Sequence, residues 1–267
     1  MDLVWKGATA RVREMGDGPP IILLHGYPLD GAMWSGVARA LSPRFRVLKP
    51  DLPGRGETPA PSEGRLTDYA DFVATLLEGL PAPAGLAGFS MGGYVALELA
   101  RRRPERLRAL ALVDTRASAD DEGGRARRDE AIATVCASGV AAIAEAMRPR
   151  LLSPASLANR DLVERLDRIM TRQRPETVEG DLIAMRDRPD ARAGLEDIGI
   201  PTLVVVGEGD TLTPPADSEA MAAAIPGARL VRIGGAGHLT PMERPGAVAA
   251  ALGDFFDGAL RAPGTAS

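Results

Sequence analysis

Short apolar runs recur along the chain at Ile21-Ile22-Leu23-Leu24, Val47-Leu48 after Arg46, Leu110-Ala111-Leu112-Val113 and Leu203-Val204-Val205-Val206 after Thr202. Their length and lack of polar alternation predict strands covered on both faces. Stretches with helical spacing lie between them: Trp34 to Leu41, then Tyr69, Phe72, Val73, Leu76, Leu77 and Leu80 with Thr67 as the predicted cap, then Val95, Leu97, Leu99 and Ala100. Ser218 to Ala224 and a last helix carrying Val248, Leu252, Phe255 and Phe256 complete the set, with Ala228 to Ile233 as a further strand between them. Strands that alternate with helices and end in glycine and proline loops make parallel βαβ units. At the N-terminus, Leu3-Val4-Trp5 and Ala10-Arg11-Val12-Arg13, joined through Gly7, predict an antiparallel edge.

From Arg116 to about Asp197 this alternation stops. The stretch is rich in alanine and arginine, helical in pattern, and expected to break at Gly123-Gly124, Pro149, Pro154, Pro175 and Pro189. It reads as several short helices inserted between two strands, forming a lid. Cys136, within the helical stretch Ala131 to Ala146, is expected to be a small packed side chain.

Composition narrows the class. A chain of 267 residues, 45% hydrophobic and 25% charged, can bury a full core. A net charge of -4 points away from nucleic acid and from anionic membranes, and no apolar run of the ~20 residues needed for a span stands out. The arginine runs at 101–103 and 125–128 read as solvated helix faces. A lone cysteine fits a reducing cytoplasm, and two histidines far from it leave little for a transition-metal site. No metal or cofactor is expected, and the assembly state expected is a monomer or small homo-oligomer.

The chemistry concentrates at Gly88-Phe89-Ser90-Met91-Gly92, where a strand gives way to a helix. A serine at the tip of so tight a turn needs neighbours without side chains, and the helix start behind it favours developing negative charge. Acyl transfer by serine further requires a base and an acid that orients it. Only His25 and His238 can be the base, so two triads can be written: Ser90 with Asp210 and His238, or Ser90 with His25 and Asp51.

With this elbow, His25-Gly26-Tyr27-Pro28, Asp51-Leu52-Pro53-Gly54-Arg55-Gly56, Gly207-Glu208-Gly209-Asp210 and Gly237-His238 all stand in order, each beside a predicted strand. In these marks the chain resembles the serine α/β-hydrolases of the lidded esterase, enol-lactonase and cofactor-free haloperoxidase type. The resemblance covers nearly the whole chain outside the lid. It implies an α/β fold with a mostly parallel eight-stranded sheet, helices on both faces, a core of residues 1–115 and 198–267, and a lid of residues 116–197. The elbow travels with the chain order nucleophile, acid, base, which selects Ser90, Asp210 and His238 over the alternative. It also implies an oxyanion hole from the amides of Met91 and Tyr27. His25 is then expected to tie down its own loop, Asp114 to be a strand-end carboxylate with a small share as acid, and Glu208 a solvated loop group. Tyr27, Met91, Leu212 and Leu239 are the expected pocket lining; the lid methionines Met147, Met170 and Met185 are further candidates, for each of which core filling is the expected place.

The resemblance thus implies a hydrolase of small carboxylic esters or lactones acting through an acyl-enzyme, and the single cysteine makes the cytoplasm its expected place. Enol-lactonase, perhydrolase or haloperoxidase, and carbon–carbon bond hydrolase chemistry share the same triad. A ligand receptor that retains the triad is the reading from another class. An aspartate at the elbow would mark dehalogenases and epoxide hydrolases, and Ser90 argues against both.

Overall fold

The computed structural model describes residues 1–56, 58, 60 and 64–261. Eight strands form one sheet: β1 (Asp2–Trp5), β2 (Ala8–Met15), β3 (Pro20–Leu24), β4 (Arg46–Pro50), β5 (Ala84–Phe89), β6 (Leu107–Val113), β7 (Thr202–Gly207) and β8 (Arg229–Ile233). Their spatial order is β1-β2-β4-β3-β5-β6-β7-β8, with β2 antiparallel to β1 and β4 and every other pairing parallel. The alternation of side chains across each strand feeds two separate cores. Ile22, Leu24, Leu86, Leu110 and Leu112 pack with α2 (Leu66–Glu78) and α3 (Met91–Arg102) on one face. Ile21, Leu23, Phe89, Ala111 and Val113 pack with α1 (Ser35–Leu41) and α10 (Pro245–Arg261) on the other. Because both faces are covered, the central strands read as continuous apolar runs.

Between β6 and β7 lie four helices: α4 (Glu122–Leu151), α5 (Pro154–Leu157), α6 (Arg160–Thr171) and α7 (Pro175–Arg186). The expected breaks at Gly123-Gly124 and Pro149 do not occur. Both glycines sit in the first turn of α4, where Asp121 caps the Gly124 amide at 2.6 Å, and Pro149 falls in its last turn. The break comes instead at Gly139, with φ 74 and ψ -179, in the middle of the helix. By length and composition α4 qualifies as a membrane span, against the composition reading, but this kink leaves neither half long enough to cross a bilayer. Cys136 is exposed on α4, not packed. Thr67 is not a cap either: Arg65 occupies that position and Asp68 accepts from its amide at 3.3 Å.

Polar side chains tie the insertion to the sheet. Arg55, buried in the loop after β4, pairs with Asp181 of α7, which also accepts from Tyr69 Oη at 2.8 Å. Arg172 and Gln173 converge on Asp30 in the loop after β3, and Thr177 donates to the Gly54 carbonyl at 2.7 Å. The loops at the carboxyl ends of β3 and β4 are thereby held beneath the insertion.

Candidate active site

The turn between β5 and α3 is made by glycines that nothing else can replace. A Cβ on Gly88 would stand 2.3 Å from the Gly92 carbonyl oxygen, and one on Gly92 would stand 2.7 Å from the carbonyls of Leu24 and His25. Ser90 between them adopts φ 51 and ψ -114, a left-handed conformation that costs a non-glycine residue about 1–3 kcal/mol. Surrounding bonds hold it there. Its amide donates to Val113, and its carbonyl accepts from the amides of Gly93 and Tyr94 and from Thr115 Oγ1.

The loops after β7 and β8 bring two more side chains to this turn. His238 Nε2 lies 3.0 Å from Ser90 Oγ, and its Nδ1 lies 2.8 Å from Asp210 Oδ2. Asp210 is the more elaborately held of the two. The amides of Leu212 and Thr213 both reach its Oδ1, at 2.8 and 3.0 Å, and Thr213 Oγ1 donates to its Oδ2 at 2.7 Å. Burial pushes the Asp210 carboxyl up, but the imidazole beside it and the bonds from Thr213 outweigh burial and hold it below the usual carboxylate value. An ionised Asp210 orients His238 with its Nδ1–H toward the carboxylate and its Nε2 toward the serine.

Of the two triads written from the sequence, the structure brings together Ser90, Asp210 and His238. His25 is engaged elsewhere: its Nδ1 bonds the Gly26 carbonyl at 3.0 Å and its Nε2 accepts from the Leu52 amide at 3.0 Å. Burial, with Arg55 nearby, drives its pKa down to about 3, so the ring is neutral. Asp51 is engaged with Arg13 and the Gly31 amide.

The turn His25-Gly26-Tyr27 lies against the serine, for a Cβ on Gly26 would stand 3.0 Å from Ser90 Cβ. Among the described residues neither the Tyr27 nor the Met91 amide donates to another backbone group. Above them opens a cavity of about 350 Å³ that holds Ser90 and His238 in its wall along with Tyr27, Leu212, Met147 and Met185. Two of the expected lining residues, Met91 and Leu239, are absent from it. Met91 is fully buried in the core shared with α2 and α3, and Leu239 in the opposite core, where it opens the short helix α9 (Thr240–Glu243) with its amide tied to the Leu151 carbonyl at 2.9 Å; of the lid methionines, Met170 is core while Met147 and Met185 reach the cavity.

Sequence reasoning missed the charge of this cavity. Arg116, Arg127, Arg128 and Arg150 line it, opposed there only by Asp120 and Glu130. Asp120 is buried and gathers Arg116, Arg128 at 3.0 Å and Arg188 at 2.9 Å. Arg127 and Arg150 have no carboxylate partner among the described residues. The 125–128 run is therefore not simply a solvated face; half of it points at the cavity.

Comparison with known proteins agrees with the architecture. The family model for the alpha/beta hydrolase fold matches residues 19–245. The chain is 31% identical over 262 residues to a pimeloyl-[acyl-carrier protein] methyl ester esterase of Aromatoleum aromaticum, covering 90% of this chain and 99% of that one. Among solved structures it is similar to a thermophilic esterase from Thermogutta terrifontis with malate bound, at 36% identity and a TM-score of 0.92, over 97% of this chain and 98% of that one. It is also similar to the enol-lactonase of Burkholderia xenovorans LB400, at 27% identity and a TM-score of 0.89, over 96% and 100% of the two chains. The chain belongs to the alpha/beta hydrolase fold family.

Proposed function

We propose that the protein is a serine hydrolase of carboxylic esters. The carrying observation is the hydrogen-bonded sequence Asp210, His238, Ser90, at 2.8 and 3.0 Å, in the wall of a cavity large enough for a small ester. His238 Nε2 takes the Ser90 proton as Oγ attacks the acyl carbon, and the imidazolium is stabilised by Asp210. The oxyanion so formed is bound by the amides of Met91 and Tyr27, each contributing ~100- to 1000-fold in rate. His238 then returns the proton to the leaving alkoxide. A water attacks the acyl-Ser90 ester with His238 again as base, releasing the acid and restoring the hydroxyl. The helices α4 to α7 act as a lid that shields this chemistry from bulk water.

The arginines favour a refinement: an ester or lactone that carries a second, free carboxylate. A cavity in which Arg127 and Arg150 have no carboxylate partner among the described residues and outnumber Glu130 attracts an anion, and guanidinium groups recognise carboxylates in bidentate fashion. The relatives described as binding malate and as an enol-lactonase are in keeping with it. Ser90→Ala tests the central claim. It is expected to abolish hydrolysis of p-nitrophenyl butyrate while leaving the melting temperature intact, and undiminished turnover in the folded variant refutes the mechanism.

A further inference from the structure

We infer that Glu243 is a positioning residue for the general base, through which the helical insertion holds His238 in place. The inference rests on His238 being that base. Glu243 ends α9, five residues after His238, and is buried. Its Oε1 accepts from the Gly237 amide at 2.8 Å and its Oε2 from the Ser153 amide at 2.8 Å. One carboxylate thus joins the residue just before His238 to the link between α4 and α5. On the other side of the imidazole, the Leu239 amide donates to the Leu151 carbonyl at 2.9 Å. Both chain neighbours of His238 are therefore fastened to residues 151–153 of the insertion.

Chemistry and sterics both indicate that this junction is built for the purpose. A desolvated carboxylate is expensive unless each oxygen finds a donor, and an apolar side chain would fill the same space at lower cost. Here the two donors come from different parts of the fold and no cation is needed. The approach is so close that a Cβ on Gly237 would stand 2.7 Å from the Ser153 nitrogen. Ser153 Oγ adds a further bond to the Gly235 carbonyl at 3.3 Å. The insertion accordingly does two things: α4 and α7 wall the cavity, and the turn between α4 and α5 backs the histidine. Displacing that turn loosens the imidazole relative to Ser90, and misplacement by about 1 Å costs on the order of 100-fold in rate.

The test compares Glu243→Ala, Glu243→Gln and Ser153→Pro on p-nitrophenyl butyrate. Ser153→Pro deletes the amide donor, φ -63 and ψ 156 at this residue suit proline, and Ser153→Ala controls for the Oγ bond to Gly235 that the proline also removes. Glu243→Ala and Ser153→Pro are each expected to lower kcat by about 10- to 100-fold with KM within about threefold, and to broaden or shift the Nδ1–H proton resonance of His238. Glu243→Gln, which keeps one acceptor, recovers part of the loss. Ser153→Ala keeps the amide and loses about tenfold less than the proline variant. A folded Glu243→Ala protein with kcat within twofold of wild type and an unmoved imidazole resonance overturns the inference, and Ser153→Pro decides if that variant does not fold. Loss of activity in Ser90→Ala with no effect at Glu243 refutes only this brace; full activity in Ser90→Ala refutes the mechanism beneath it.

Discussion

The protein has two histidines, and the structure predicts opposite consequences for removing them. His238→Ala removes the group that takes the serine proton, so kcat should fall by about 10⁴- to 10⁶-fold with little change in stability. His25→Ala should do the reverse. Its ring donates from Nδ1 to the Gly26 carbonyl and accepts at Nε2 from the Leu52 amide, so the alanine variant strands a buried donor and opens a void. The stranded donor costs about 1–3 kcal/mol and the void adds to it, for a total on the order of 3–5 kcal/mol. The neutral ring also carries a pH signature. The unfolded chain binds a proton here below pH 6.5, whereas the folded chain does so only below about 3, where Nε2 is forced to give up its bond from Leu52. The unfolded state therefore holds more protons between these values, and stability falls as pH drops through that window by up to about 1.4 kcal/mol per unit. Urea denaturation between pH 7.5 and 4, with p-nitrophenyl butyrate turnover at pH 7.5, separates the two roles. His25→Gln should be less stable at pH 7.5 and should show a shallower acid slope than wild type. An unchanged slope, or a folded His25 variant as inactive as His238→Ala, would refute the assignment.

Three further outcomes follow from the same contacts. Asp181→Ala leaves Arg55 buried without its partner and should destabilise by about 3–5 kcal/mol, a fall in melting temperature on the order of 10 °C; the Arg55→Ala/Asp181→Ala double variant should cost less than the sum of the singles. Arg127→Ala and Arg150→Ala should each raise KM on the order of fivefold for a half-ester of a dicarboxylic acid while leaving KM for its neutral diester nearly unchanged, and added salt should shrink the difference. Asp114→Asn should fold and turn over esters much as the wild type does, whereas Asp114→Ala should lower the melting temperature by several degrees, because only the alanine strands the Gly207 amide and the Thr240 hydroxyl.

What the sequence disclosed was what local sterics and periodicity control. Gly88 and Gly92 are legible because the elbow leaves no room for a Cβ, and the strands are legible because burial on both faces erases polar alternation. The interior of the insertion was misread for an equally local reason. Gly123 and Gly124 lie in the first turn of α4, whose amides lack helical partners anyway, and Pro149 removes a single amide bond in the last turn before the helix ends at Leu151. Gly139 is a lone interior glycine in an alanine-rich run, a weaker punctuation mark than a glycine pair or a proline, yet the kink falls there. The cavity arginines were invisible because their direction is set by packing of α4 on α7 and by Asp120, a tertiary contact. Leu239 follows His238 directly, yet the start of α9 turns consecutive side chains to different sides.

The two aspartates at neighbouring strand ends show how environment, rather than identity, distributes the chemistry. Both Asp114 and Asp210 are buried, and chain position alone permits either to serve the histidine. Asp210 receives two amides, a hydroxyl and an imidazole, a donor set suited to an anion. Asp114 receives one amide and the Thr240 hydroxyl, and burial followed by the charge of Asp210 pushes its carboxyl well above the usual range. Two buried carboxylates this close disfavour double ionisation, so the charge on Asp210 favours the protonated form of Asp114. Asp114 joins the end of β7 to α9, the two segments that flank Asp210 and His238. The carboxylate that orients the base and the acid that pins its surroundings are thus set apart by their hydrogen-bond donors, and an aspartate at the end of β6 can assist this site without carrying its charge.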